Sequence, residues 1–216
     1  MLKRFGSHYI IVMMIVTRLI GSVGGTLTIY YVNLTLRLPP DVATHFHVLA
    51  ALVVMLAVVS TSLMALWETR CLRGVLCDLD QGRIVELSRA LSAGREAVRF
   101  CGQHHLREAV LVPLVTTAPV CAFMYWWHQE SWEVLGHICI ATFLGISTSL
   151  LLSFFSIERW MRPVIQHLLD EGVPIPYGQI PESRLQIRVT VSFGLIIADT
   201  AIMIGALANQ RALDIV

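Results

Sequence analysis

The sequence predicts an all-α fold: a polytopic transmembrane helical bundle of five membrane-spanning helices with amphipathic cytoplasmic exit helices. Three observations carry this. Of 216 residues, 56% are hydrophobic and 14% charged, with mean hydropathy +0.68, whereas about a quarter of a soluble domain is charged. Five apolar runs each reach the roughly 20 residues that a helix needs to cross about 30 Å of hydrocarbon. The arginines gather in alternate connections between those runs.

The first run covers residues 9–33, behind Lys3 and Arg4. It is too long for a secretory signal and no small-residue cleavage site follows, so it reads as a retained span. The second to fifth runs cover 45–67, 109–127, 132–156 and 185–208. Two longer polar stretches, 68–108 and 157–184, read as cytoplasmic segments of a single membrane domain over 1–216. The first holds Arg70, Arg73, Arg83, Arg89, Arg95, Arg99 and Arg107; Arg159, Arg162, Arg184 and Arg188 accompany the second. The opposite connections hold Arg37 and, in the tail, Arg211. Short loops rich in Lys and Arg stay cytoplasmic, so the expected protein is multi-pass in the plasma membrane with its N-terminus inside. Tyr30, Tyr31, Trp126, Trp127 and Trp132 mark the outer boundary, and Trp67 and Trp160 the inner one.

An internal repeat organises the chain. Glu68-Thr-Arg-Cys-Leu-Arg-Gly-Val-Leu-Cys-Asp-Leu-Asp-Gln-Gly82 follows the second run, and Glu158-Arg-Trp-Met-Arg-Pro-Val-Ile-Gln-His-Leu-Leu-Asp-Glu-Gly172 follows the fourth. Each has a Glu at the membrane exit, two arginines (Arg70 and Arg73; Arg159 and Arg162), a short apolar-periodic helix and an acidic turn ending in Gly. The repeating unit is a hairpin of two spans followed by a basic exit helix. Val75, Leu76 and Leu79, like Val164, Ile165, Leu168 and Leu169, form its apolar face. Gly82 and Gly172 supply the left-handed residue that stops each helix. Between Arg83 and Phe100 the spacing of Ile84, Leu87, Leu91 and Val98 predicts a second cytoplasmic helix. The proline-rich stretch 172–181 reads as a stiff, non-helical connector.

Two ionisable residues, Arg18 and Asp199, fall inside spans at similar depth. An unpaired charge there costs at least about 2.5 kcal/mol, so pairing or a wet cavity is expected: either the two approach each other across the first and fifth helices, or Arg18 snorkels inward and Asp199 is neutral or faces water. His45, His47, His128 and His137 fall at the outer ends, where they are weak candidates for ligand or pH sensing beside the alternative of interfacial residues. No metal site is assigned. His104 and His105 lack the kinase context of a phosphoacceptor. Gly21, Gly24 and Gly25 form a small-residue surface, read mainly as packing within the chain. Cys71, Cys77, Cys101, Cys121 and Cys139 show no disulfide or metal-ligand spacing. Neither a phosphate-cradling loop nor a Ser-His-Asp arrangement nor a nucleic-acid surface appears, so catalysis by this chain is not expected.

Three stretches carry a resemblance: Ile15-Val-Thr-Arg-Leu-Ile-Gly-Ser-Val-Gly-Gly25, Leu111-Val-Pro-Leu114, and Leu150-Leu-Leu-Ser-Phe-Phe-Ser-Ile-Glu-Arg-Trp-Met-Arg-Pro-Val164 with the following Gly172. They resemble the N-terminal membrane part of bacterial class III adenylate and guanylate cyclases that have six transmembrane helices followed by a HAMP domain. The resemblance implies a membrane sensor or regulatory module, homodimeric through its membrane helices. It also implies a signal-exit motif made of Glu68, Arg70, Arg73, Gly82, Glu158, Arg159, Arg162, Pro163 and Gly172. ATP and divalent metal belong only to the cyclase domain of such a parent. Against the family pattern the chain reads as shortened, lacking the sixth span, the HAMP domain and the cyclase. Two alternatives stay open: the input domain of a histidine kinase, and a small transporter or channel component in which Arg18 and Asp199 line a polar path.

Overall fold

The computed structural model describes residues 8–36, 38–173, 175 and 183–215, with the backbone alone at 102, 183–188 and 209–215. Lys3, Arg4, Arg37 and most of the 172–181 connector lie outside the described residues, as do the side chains of Arg184, Arg188 and Arg211. The described chain is all-helical: α1 (Tyr9–Thr35), α2 (Pro40–Glu68), α3 (Arg70–Asp80), α4 (Leu87–Trp127), α5 (Trp132–Asp170) and α6 (Ser183–Ile215). Five stretches are long and apolar enough to cross a membrane: Tyr9–Thr35, Pro40–Glu68, Gln103–Trp127, Trp132–Asp170 and Val189–Ala208. In the most apolar window of α2 only 22% of residues are buried. Leu52, Met55, Leu56 and Leu63 point outward instead, as side chains do when the surrounding solvent is hydrocarbon.

Two boundaries differ from the sequence reading. The expected separate helix over Arg83–Phe100 starts at Leu87 and runs without a break into the third span, giving a helix of 41 residues. Gly102 lies at the junction, but a lone glycine costs only about 1 kcal/mol. The buried face Ala90, Ala93, Ala97, Phe100 and His104 continues straight through it. The second exit helix is likewise no separate element: it is the end of α5, which carries Pro163 inside a continuous helix. Only the first copy of the repeat bends, at Thr69 (φ −107°, ψ 14°), whose hydroxyl donates to the carbonyl of Ala65 at 2.8 Å. Such back-bonding by a hydroxyl weakens the helical ladder locally.

Both copies end alike. Gly82 has φ 67° and Gly172 φ 76°. Gly82 N donates to Leu79 O and Arg83 N to Asp78 O, each at 2.9 Å; Gly172 N donates to Leu169 O at 2.9 Å and Val173 N to Leu168 O at 2.8 Å. This is the paired bonding of a Schellman motif, with glycine in the left-handed position. The contact across the motif differs between the copies. Leu168 and Val173 are buried, whereas Asp78 and Arg83 form an ion pair at 3.5 Å.

Packing departs from simple hairpins. α1 lies against α5, and α2 against α4, while α1 and α2 make little contact. The second hairpin keeps its own packing, α4 against α5, so α4 lies between α2 and its hairpin partner and only the first hairpin is opened. The closest approach is α1 to α5. A Cβ on Gly24 would clash with the Gly145 carbonyl and Ser149 Oγ, and one on Gly145 with Thr28 Oγ1 and the Gly24 carbonyl. Thr28 donates to Ala141 O at 3.1 Å and Ser149 to Gly21 O at 2.7 Å across this seam. Gly25 has nothing within 4 Å of its Cβ position, so Gly21 and Gly24 are the packing glycines. The apolar core falls into two clusters. One gathers Ile10, Leu72, Leu76, Phe100, Met161 and Leu168 at the arginine-rich end of the bundle, here termed the basic end; the other gathers Val32, Phe46, Met124, Ile138 and Leu144 at the opposite end.

Candidate functional site

Between the two clusters lies a group of charges, buried except for Arg107, whose side chain is half exposed. α1 brings Arg18 to it, the last turn of α2 brings Glu68, and α4 brings His104, His105, Arg107 and Glu108. On α4 the buried stripe Ala93, Ala97, Phe100 steps on to His104 and Glu108. These two polar residues therefore sit on the packed face, 1% and 2% exposed respectively. Phe100 stacks on the His104 ring at 4.6 Å between centroids.

Arg18 Nη1 forms an ion pair with Glu108 Oε1. Its Nη2 stands 3.3 Å from His104 Nε2. His104 Nδ1 lies 2.7 Å from Glu68 Oε2, and Arg107 pairs with Glu68 Oε1. His104 Nε2 and His105 Nδ1 are each 3.5 Å from the two oxygens of Glu108. Among the described residues Arg18 Nε and His105 Nε2 are buried without a hydrogen-bond partner, and His105 Nδ1 has only its 3.5 Å contact with Glu108. With both carboxyl groups ionised, the two arginines and two glutamates cancel in charge. Three helices are thus tied through one chain of contacts, Arg18–Glu108–His104–Glu68–Arg107.

Arg18 and Asp199, candidates for an intramembrane pair, do not meet: Arg18 turns to Glu108. Asp199 on α6 accepts from Ser147 Oγ at 2.6 Å and Thr148 Oγ1 at 3.1 Å, both on α5. The reason is the rotation of α1 imposed at the Gly24–Gly145 crossing, which turns Arg18 towards α4. The outer histidines do not converge either. His45 and His128 face each other with centroids 5.4 Å apart, His47 bonds Asn33 at 3.2 Å, and His137 bonds Tyr31 at 3.2 Å. Among the described residues no group of three or more His, Cys, Asp or Glu could hold a metal ion.

The proposed exit-motif residues divide in two. Glu68 joins the buried cluster. Arg70 lies over the Trp67 ring at 5.6 Å, and Arg73 Nη2 turns back to the carbonyl of Leu66 at 2.9 Å. In the second copy, among the described residues, Glu158 pairs only with Arg162, one turn on, at 3.8 Å; Arg159 is exposed, and the helix continues through Pro163. The two copies share a helix ending but not a charge site.

Two crevices flank the cluster. α1, α2, α4 and α5 line a largely apolar, half-open cavity of about 350 Å³, with Arg18 and Glu108 in its wall. Its hydroxyls Thr61 and Thr116 bond their own helix, to Ala57 O at 2.7 Å and Val112 O at 2.8 Å, and so add little polarity. At the basic end a smaller crevice of about 200 Å³ opens between α2, α3 and α4, lined by Trp67, Arg70, Arg99 and Arg107 among others.

Glu108 and His104 were missed in the sequence because they stand just before the apolar run. The continuing four-and-three spacing from Ala93 through Phe100 was the signal that could have placed them inside. No protein-family model matches the chain, and no curated protein or solved structure matches it, so the site is read from its own geometry.

Proposed function

We propose that this chain is the membrane input module of a signalling protein, set in the plasma membrane with its N-terminus and basic end in the cytoplasm. In this reading it acts as a homodimer on an output of the HAMP-linked adenylate cyclase kind. The observation that carries the reading is the shared position of Arg18 and Glu108. They line the intramembrane cavity and also begin the chain of contacts that ends at Glu68, one residue before the Thr69 bend into α3. A ligand or lipid that alters the cavity presses on helices whose charges cannot separate freely. Removing one partner of a buried pair costs about 3–5 kcal/mol. Movement of α1 or α4 is therefore passed on to Glu68 and α3 rather than absorbed.

The test is a strain of the encoding organism carrying Arg18→Gln, with the protein present in the membrane at its normal amount. The expected result is a changed cellular cyclic AMP level. An unchanged level rejects the cyclase-linked reading. Spin labels at Gln81 and Glu171 in the full chain report coupling separately, through an altered distance in the variant.

A second reading, a small transporter or channel component, draws on Asp199, an acid held by two hydroxyls between α5 and α6. Proton or cation flux into proteoliposomes that disappears in Asp199→Asn would favour it over the sensor.

A further inference from the structure

The crevice at the basic end offers guanidinium groups of which the buried cluster engages only Arg107. Three guanidinium groups border it: Arg70 from α3, and Arg99 and Arg107 from α4. Its two carboxylates leave Arg70 and Arg99 without an ion pair among the described residues. Glu68 holds His104 and Arg107, and Glu96 accepts the backbone N–H of Leu72 at 2.8 Å. Among the described residues neither Arg70 nor Arg99 has a carboxylate within 4.0 Å, and both are exposed. Arg70 instead lies over Trp67, which leaves its N–H edges open. The crevice therefore presents an excess of planar donors suited to paired hydrogen bonds with phosphate oxygens.

Its location selects the carrier of that phosphate. Trp67 is 63% exposed in the last turn of the apolar α2 helix, and Leu63, one turn earlier, is exposed below it. On α4 the exposed residues Arg99, Gln103, Arg107, Val110 and Leu114 follow one another at steps of four, four, three and four along one face. The stripe passes from guanidinium through amide to aliphatic just as α4 enters its apolar stretch. A phosphate held between Arg70 and Arg99 would have its attached chains continue over Val110, Leu114 and Leu63.

We propose that this crevice is a headgroup site for one anionic phospholipid, its phosphate held by Arg70, Arg99 and Arg107, with Trp67 at the level of the glycerol. A zwitterionic lipid brings its own cation into a pocket already rich in positive charge, so selection favours lipids of net negative charge. The site does not depend on the signalling role proposed above.

The full chain, purified in detergent, is tested by native mass spectrometry and by its melting temperature with added phosphatidylglycerol, phosphatidylcholine or inorganic phosphate. One phosphatidylglycerol should be retained per chain and should raise the melting temperature, with phosphatidylcholine retained far less. Each arginine near an anionic surface contributes enough that R70Q/R99Q should weaken phosphatidylglycerol binding by about tenfold or more. The single variant R99Q, which gives up no ion pair or side-chain hydrogen bond among the described residues, should weaken it by several-fold. R159Q/R162Q, at the same end but outside the crevice, should leave it unchanged. Equal retention of the two lipids overturns the proposal, and so does undiminished binding in a folded R99Q. Equal stabilisation by inorganic phosphate would overturn the lipid assignment and leave a soluble phosphate site.

Discussion

Arg18 and Glu108, ninety residues apart in the chain, close on each other where the apolar cavity meets the basic end of the bundle. Glu108 has almost no exposure, and Arg18 little. Neutralising either one leaves the other charge buried. Arg18→Gln and Glu108→Gln should each destabilise the folded chain by about 3 kcal/mol or more. The double change to Met at both positions should cost clearly less than the sum. Unfolding in detergent mixtures measures this; single and double effects that simply add would show that the two groups do not interact.

The crossing of α1 and α5 should be intolerant of one methyl group. Gly24→Ala and Gly145→Ala force a Cβ into the facing backbone, and separating the helices forfeits the Thr28 and Ser149 bonds across the seam. We expect a loss of about 1–3 kcal/mol from overpacking. Gly25→Ala, with open space around it, should be neutral or slightly stabilising, since alanine has the higher helix propensity. Melting temperatures of the three variants in one detergent give the comparison.

Glu96 caps a helix that is not its own. Its carboxylate accepts from Leu72 N, in the first turn of α3, where backbone N–H groups lack helical partners. Glu96→Ala should cost about 1 kcal/mol, the usual worth of a cap. Burial pushes this carboxyl above its ordinary value, more than the Leu72 and Cys71 amides and the nearby arginines pull it down. The folded chain then holds the proton more tightly than the unfolded chain. The associated stability is complete below the ordinary carboxylate value and is lost as pH rises through the elevated one. Stability of the wild type relative to Glu96→Gln should therefore fall across that window and level off above it.

Cys121 on α4 and Cys139 on α5 place their sulfurs 3.9 Å apart at the end opposite the arginines. Mild copper-phenanthroline oxidation should join them, giving a chain lighter by two hydrogens and a peptide pair linked across the loop. Failure of this link under conditions that oxidise added glutathione would contradict the register of α4 against α5.

The proposed orientation has its own test. In a chain stripped of its five native cysteines, a single cysteine at Gln129 should react with an impermeant maleimide on intact cells. A cysteine at Arg89 should react only after lysis. The reverse pattern would put the basic end outside and remove the cytoplasmic route from Glu68 to an output.

Several features were legible before any coordinates. The existence of the five apolar stretches was, because hydropathy is summed along one segment, but their ends were not: the third starts at Gln103 and not at 109, and the fourth runs on to Asp170 and not to 156. Gly82 and Gly172 were too, because a left-handed helix end is chosen by the residue that occupies it. The equivalence of Glu68 and Glu158 was only half right. Both follow a span, but α4 supplies His104 and Arg107 to the first, and no comparable neighbours reach the second.

By itself, then, the sequence determined which segments are long and apolar enough for a membrane and where the exit helices stop, since both depend on local composition and backbone preference. The tertiary structure decided that Arg18 answers to Glu108 and not to Asp199, and that α1 packs on α5 rather than on its hairpin partner. Those outcomes hang on how far each helix is rotated about its axis. That rotation is set by the fit of Gly24 against Gly145, a contact between residues that no local pattern relates.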